Sequence, residues 1–203
     1  MSETAAAGGG GAAAVRPRRR VPAAERREEL IEAAVAEFAR GGLHGTSVGQ
    51  IAQRVGVAQP YVFALFPTKQ DLFIAAVERG FDRVEATFRE GAATVGQGSE
   101  PAEGCEEETL AAMGSAYKEL LVRDRDCLML QLQSYAACDE PAIRERVLRR
   151  FAGLVALASE LSGVQGEELD DYFRHGMALN VAAAMGVPDI ATGEAWVLGA
   201  AES

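Results

Sequence analysis

Residues 47–73 read SVGQIAQRVGVAQPYVFALFPTKQDLF, and the spacing inside this stretch decides the fold. Ser47 and Gln50 stand three apart, the separation of a capping box in which each side chain serves the other's free backbone N–H. Val48, Ile51, Ala52 and Val55 then share one helical face, and Gly56 supplies a tight turn. A second short helix is predicted from Ala58 to Leu65, with Pro60 in its first turn, where the missing N–H is tolerated. Thr68 and Asp71 cap a longer helix through Leu72, Phe73, Ala76, Val77, Phe81, Val84 and Phe88. Upstream, Leu30, Ile31, Ala34, Val35 and Phe38 recur at three- and four-residue spacing, which predicts a helix from about Ala23 to Arg40, ended by Gly41-Gly42. Two short helices joined by a glycine turn and held against a longer one make a helix-turn-helix. In that arrangement the second short helix lies in the major groove of a duplex.

Farther along, residues 91–104 (GAATVGQGSEPAEG) read as a flexible connection. Helical periodicity resumes over 105–122, 125–138, 140–162 and 167–186, with Pro141 opening one segment and Gly163, Gly166 and Gly186 separating others. Pro188 and Trp196 fall in a last stretch with room for one more short helix. No strand pattern stands out. The chain therefore reads as all-α, about nine helices: a three-helix helix-turn-helix domain followed by a larger helical domain, which the resemblance given below makes a ligand-binding and dimerisation domain. The division is 1–22 as a disordered basic arm, 23–68 as the DNA-binding domain, and 69–203 as the second domain. The arm begins with the Ala- and Gly-rich residues 1–15 and ends in the cluster Arg16, Arg18, Arg19 and Arg20.

Charge is divided unevenly. The net charge is −10, which by itself opposes a phosphate-bearing partner. Residues 1–80, however, carry ten Lys or Arg against eight Asp or Glu, a net of +2, and five of those acids lie between Glu25 and Glu37. Residues 81–203 carry ten against twenty-two, a net of −12. An anion-tolerant end is thus joined to an acidic body. Cys105, Cys127 and Cys138 have no metal-ligand spacing, and two histidines, His44 and His175, are too few for a zinc or iron site. No cofactor is expected. There is no apolar signal segment or membrane span, so a reduced, cytoplasmic setting is expected.

The stretch from Arg27 to Phe73 resembles the DNA-binding domain of the TetR family of regulators. The resemblance is carried by Leu30-Ile31-Glu32-Ala33-Ala34, Phe38, Gly42, Gly45-Thr46-Ser47-Val48 and Ile51-Ala52. It continues through Val55-Gly56-Val57, Phe66, Lys69 and Leu72-Phe73. It implies a transcriptional regulator rather than an enzyme: a homodimer on a palindromic operator, acting as a repressor and released by a small molecule bound in the C-terminal half. Lys69 occupies a family position that reaches a phosphate. Phe63 and Leu65 depart from the family, which commonly has Tyr, and Tyr or His, at these places; Phe63 is still counted with the DNA-facing residues.

Geometry assigns the remaining contacts. Thr46 and Ser47, at the start of the second helix, are placed against a phosphate, although Ser47 serves equally well as a plain helix cap. Gln59 pairs with adenine through its amide, while Pro60 and Tyr61 offer apolar surface to thymine methyls. The four arginines of the arm either enter the neighbouring minor groove or only solubilise the terminus.

For the C-terminal half, Phe151, Leu154, Ala158, Phe173, Gly176, Asn180, Ala183 and Ala184 are the expected dimer interface, since small residues let a second helix approach. The alternative is packing within one chain. Met113, Tyr117, Met129, Leu132, Tyr135, Phe151 and Met177 are the expected pocket lining, with ordinary core as the competing reading. His175 reads either as a donor to a ligand or as a structural histidine. A catalytic helical bundle finds no support: there is no Ser-His-Asp or Cys-His set, no ExxH and no phosphate-cradling glycine loop. An interaction module that has lost DNA binding is the other rival.

Overall fold

The computed structural model describes residues 22–95 and 105–187. Eight helices occupy them: α1 (Ala23–Gly45), α2 (Val48–Val55), α3 (Gln59–Leu65), α4 (Lys69–Val95), α5 (Cys105–Arg123), α6 (Arg125–Ala136), α7 (Pro141–Ser162) and α8 (Glu167–Met185). Most of the predicted arm and the short helix expected near Trp196 lie outside the described residues.

Local chemistry accounts for most helix ends. Ser47 and Gln50 form the reciprocal capping box at α2, and Gly56, left-handed at φ 73°, closes that helix. Asp124 caps α6 by accepting from the Cys127 N–H at 3.0 Å. Thr68 and Asp71 cap α4: the Thr68 hydroxyl accepts from the Asp71 N–H, and the Asp71 carboxylate accepts from the Thr68 N–H, both at 3.0 Å. Two boundaries differ from the periodicity. α1 does not stop at Gly41-Gly42 but bends at Gly42 (φ 61°) and adds a last turn to Gly45. α4 runs on through Gly91 to Val95, where glycine content predicted a flexible connection.

Gly91 belongs to the helix because α5 crosses there. A Cβ at this position would sit 2.9 Å from the Ala112 carbonyl oxygen and 2.9 Å from the Met113 Cα, backbone atoms that cannot swing aside. Gly80, on the same helix, has room: its Cβ would meet Leu130 Cδ2 at 3.7 Å, an ordinary contact. Gly91→Ala is therefore expected to lower stability by about 1–2 kcal/mol, overpacking outweighing the gain in helix propensity. Gly80→Ala is expected to leave stability equal or raise it by up to about 1 kcal/mol. Urea unfolding of both variants checks the pair; a Gly91→Ala protein as stable as the parent would refute the close crossing.

A single buried apolar cluster extends from Leu30 in α1 to Ala182 in α8. Its best-shielded pair, Phe38 of α1 and Phe73 of α4, is fully buried with ring centroids 4.9 Å apart, edge to face. Ion pairs clasp the middle of α4 on two sides. Arg79 binds Glu28 and Glu32 of α1, and Arg83 binds Glu32 and, at 2.9 Å, Asp124. From α7, Arg150 reaches Glu78, Asp82 and Glu85 at 2.7–2.8 Å, and Arg146 joins Glu78 at 2.7 Å. These pairs are partly exposed, so they define the position of α4 more than they add to stability.

Candidate nucleic-acid interface and body cavity

The helix-turn-helix is fixed by what α3 buries. Val62 and Phe66 point into the core, fully or almost fully covered. With Val62 buried inside the seven-residue helix, its C-cap Phe66 covered and Leu65 half-buried against the core, Gln59, Pro60, Tyr61, Phe63 and Ala64 are left exposed. Tyr61 is 38% and Phe63 39% accessible, large exposure for aromatic side chains. The outward face of α3 bears no charge and offers amide, aromatic and apolar surface.

The polar and cationic side chains expected at phosphates lie around it. Ser47 is exposed, but its oxygen accepts from the Gly49 N–H at 3.2 Å within the capping box. Thr46 is a correction to the sequence reading: it is buried, and its hydroxyl donates to the Glu37 carbonyl at 3.0 Å, tying the end of α1 together. Lys69 is held in place, its ammonium donating to the Thr46 and His44 carbonyls at 3.2 and 3.4 Å; its third hydrogen is left for an outside acceptor. Arg54 is paired with Glu37 at 2.8 Å. Arg16, Arg18, Arg19 and Arg20 lie outside the described residues.

In the body, α4, α5, α6, α7 and α8 enclose a cavity of about 350 Å³. Val84, Phe88, Leu110, Leu154 and Leu179 supply apolar wall, and Phe151, Tyr172 and Phe173 extend it as a chain of edge-to-face rings. Of the residues expected at a pocket, Tyr117, Phe151 and Met177 line this cavity. Met113, Met129, Leu132 and Tyr135 do not: Met113 is fully buried, and the other three pack at the edge of the core.

Of the polar end of the cavity, sequence reasoning named Tyr117 but not Gln131, and it assigned Asn180 to a dimer interface. Tyr117, Gln131 and Asn180, all buried, meet there. The Tyr117 hydroxyl lies 2.6 Å from Asn180 Oδ1 and 3.0 Å from Gln131 Oε1, and Asn180 Nδ2 donates to that same Gln131 oxygen at 3.4 Å. Burial pushes the Tyr117 phenol far above its ordinary range, so it stays a neutral donor. Burial likewise raises the Tyr172 phenol, and the neighbouring Cys127 thiol is pushed up to about 11, mainly by burial and then by Asp124. Glu107, Ser115 and His175 are exposed and mark the mouth, with half-buried Lys118 beside them. The one signal for the polar end was three amide- or hydroxyl-bearing residues on helical faces otherwise apolar.

The expected dimer interface needs a second correction. Leu154, Ala158 and Asn180 are buried within the chain, and Phe151, Phe173 and Gly176 line the cavity, so these six face inward. Ala183 and Ala184 are half-buried, and their carbonyls accept from Arg125. Exposed apolar residues on these two helices include Leu148, Ala152 and Ala156 on α7 and Met177, Val181 and Met185 on α8. Among the described residues no three His, Cys, Asp or Glu come together as metal ligands, and no helix is long and apolar enough to cross a membrane.

Residues 30–76 match the family model described as bacterial regulatory proteins, tetR family. The chain is 33% identical over 70 residues to the HTH-type transcriptional activator FasR of Mycolicibacterium smegmatis, covering 34% of this chain and 32% of that protein. It is 32% identical over 62 residues to the HTH-type transcriptional repressor KstR of the same species, covering 30% of each. The chain thus spans about a third of the length of these curated relatives. In fold it is similar to a transcriptional regulator from Pseudomonas aeruginosa (TM-score 0.63, 22% identity, 89% of this chain and 92% of that one). It is also similar to the Bacillus subtilis regulator FadR in complex with stearoyl-CoA (TM-score 0.66, 19% identity, 81% and 91%).

Proposed function

We propose that this chain, whose residues 30–76 form a tetR-family N-terminal domain, is a DNA-binding transcriptional repressor that grips a palindromic operator as a homodimer and lets go when a small molecule fills the body cavity. The observation that carries the reading is the outward, uncharged face of α3, anchored from behind by Val62 and Phe66. Gln59 reads adenine, and Pro60, Tyr61 and Phe63 rest on thymine methyls. Ser47 and Lys69 face the flanking phosphates, and the arginines of the arm extend the contact. Residues 23–68 serve as the DNA-binding unit and the remainder as the effector and dimer unit. The second copy covers the stripe of Leu148, Ala152, Ala156, Val181 and Met185, a surface of two adjacent helices suited to four-helix packing.

Release follows from α4. Val84 and Phe88 line the cavity, while Lys69 and Phe73 of the same helix hold the helix-turn-helix. A ligand that prefers a shifted α4 changes the spacing of the paired recognition helices. A preference of about 3 kcal/mol weakens operator binding more than a hundredfold.

Selecting bound fragments from the source genome with the full-length protein tests the reading. Enrichment of an inverted repeat is expected, with half-site centres about 34–36 Å apart or a multiple of that. Binding should weaken steeply with salt, as phosphate contacts require. A protein that ignores every duplex at low salt is no regulator of this kind.

A further inference from the structure

The charges around the cavity are segregated. Every ionisable side chain that lines it at neutral pH as a charge, Glu107 or Lys118, stands at the mouth with His175, and the enclosed end holds neutral groups alone. A carboxylate or phosphate pushed to the inner end would be desolvated with no cation to meet it, a loss that hydrogen bonds from neutral groups do not recover.

The inner hydrogen bonds are also unbalanced. Two oxygens, Asn180 Oδ1 and Gln131 Oε1, converge on one phenol proton, and the shorter distance gives that proton to Asn180. Gln131 Oε1 is then left with a long 3.4 Å donation from Asn180 Nδ2. Buried acceptors served this weakly favour an added donor. A ligand hydroxyl fits: its proton goes to Gln131 Oε1, while its oxygen lies within reach of the same amide and phenol groups.

We propose that the cavity binds a neutral, chiefly apolar molecule bearing a hydroxyl group, inserted hydroxyl first against Tyr117, Gln131 and Asn180 with its hydrocarbon among Phe88, Phe151 and Phe173. The proposal rests on the reading of the cavity as the effector site, but not on any operator. The fold relative that holds stearoyl-CoA carries an anionic head. The enclosed end of the present cavity selects against such a group.

Calorimetry with the full-length protein in the absence of DNA tests this, using three probes of one chain length: octan-1-ol, 1-methoxyoctane and octanoate at neutral pH. Octan-1-ol is expected to bind at least fivefold tighter than the ether, which cannot donate, and at least tenfold tighter than octanoate. The preference is read on the unaltered protein, so it does not depend on a variant folding. Asn180→Leu is expected to erase the alcohol-over-ether preference, and Glu119→Gln, exposed on α5 outside the cavity lining, to leave it intact. Equal binding of alcohol and ether, octanoate binding as tightly as the alcohol, or no binding of octan-1-ol would each overturn the proposal. If the alcohol binds as expected but no duplex is recognised, the regulator reading fails and the cavity chemistry stands.

Discussion

Changing Gln59 and Tyr61 together to alanine is expected to cut operator affinity at least a hundredfold while leaving helical content and thermal unfolding as they were. Each well-made contact to a base edge discriminates by about 1–3 kcal/mol, and two together reach about 3 kcal/mol, a factor above one hundred. Neither side chain supports the core: both are exposed, and α3 is held by Val62 and Phe66 on its opposite face. Exposed substitutions of this sort usually move stability by no more than about 0.5 kcal/mol. The salt slope is expected to change little, because the phosphate contacts are made elsewhere. Fluorescence anisotropy on the selected operator, with circular dichroism on the same samples, measures both halves. Parental affinity in the double variant would remove α3 from its role as the reading element.

Phe73→Ala is expected to cost about 3–5 kcal/mol of folding stability. The ring is fully buried at the junction of α1 and α4, and its edge-to-face partner Phe38 is fully buried too, so little can collapse into the space left behind. Domains of this kind are stable by about 5–15 kcal/mol, so the variant loses a large share of the total. Val122→Ala, on the exposed side of α5 and away from the stripe assigned to the second copy, serves as the contrast and is expected to change stability by about 0.5 kcal/mol or less. Urea midpoints at constant slope give the comparison. A loss below 1 kcal/mol for Phe73→Ala would mean that the two helices are not joined through this pair.

The elements that the sequence marks most plainly are those whose signals are local. A capping box, a left-handed glycine or a proline in the first turn acts over three or four residues, and α2, α3, α7 and α8 begin or end within about two residues of where such signals place them. Gly91 shows the limit. Its composition says loop, but the crossing of α5 makes glycine a packing requirement inside a helix, and nothing nearby in sequence announces that neighbour.

The body site was hidden for the same reason. Periodicity shows that Leu154, Ala158 and Asn180 share buried faces with Phe151 and Phe173, yet it cannot distinguish a face that meets its own chain from one that meets another. Apolar and amphipathic side chains pointed to Tyr117, Phe151 and Met177, which line the cavity, and equally to Met113, Met129, Leu132 and Tyr135, which do not. The residues that converge on the cavity's inner end, Tyr117, Gln131 and Asn180, are brought together across 63 positions of chain by helix pairing alone. The exposed residues Gln59, Pro60 and Tyr61 of α3, by contrast, are those the sequence marks as opening that helix, whereas the burial of Val62 behind them comes from packing.

α4 is one unbroken rod, and that makes it a lever. At about 1.5 Å of rise per residue, Phe88 beside the cavity and Lys69 beside the helix-turn-helix are separated by about 28 Å along its axis. A swing of only about 5° at one end therefore carries the other through about 2.5 Å, enough to spoil hydrogen-bond distances on a duplex, which tolerate a few tenths of an ångström. No helix has to melt and no core contact has to be given up for such a signal to travel.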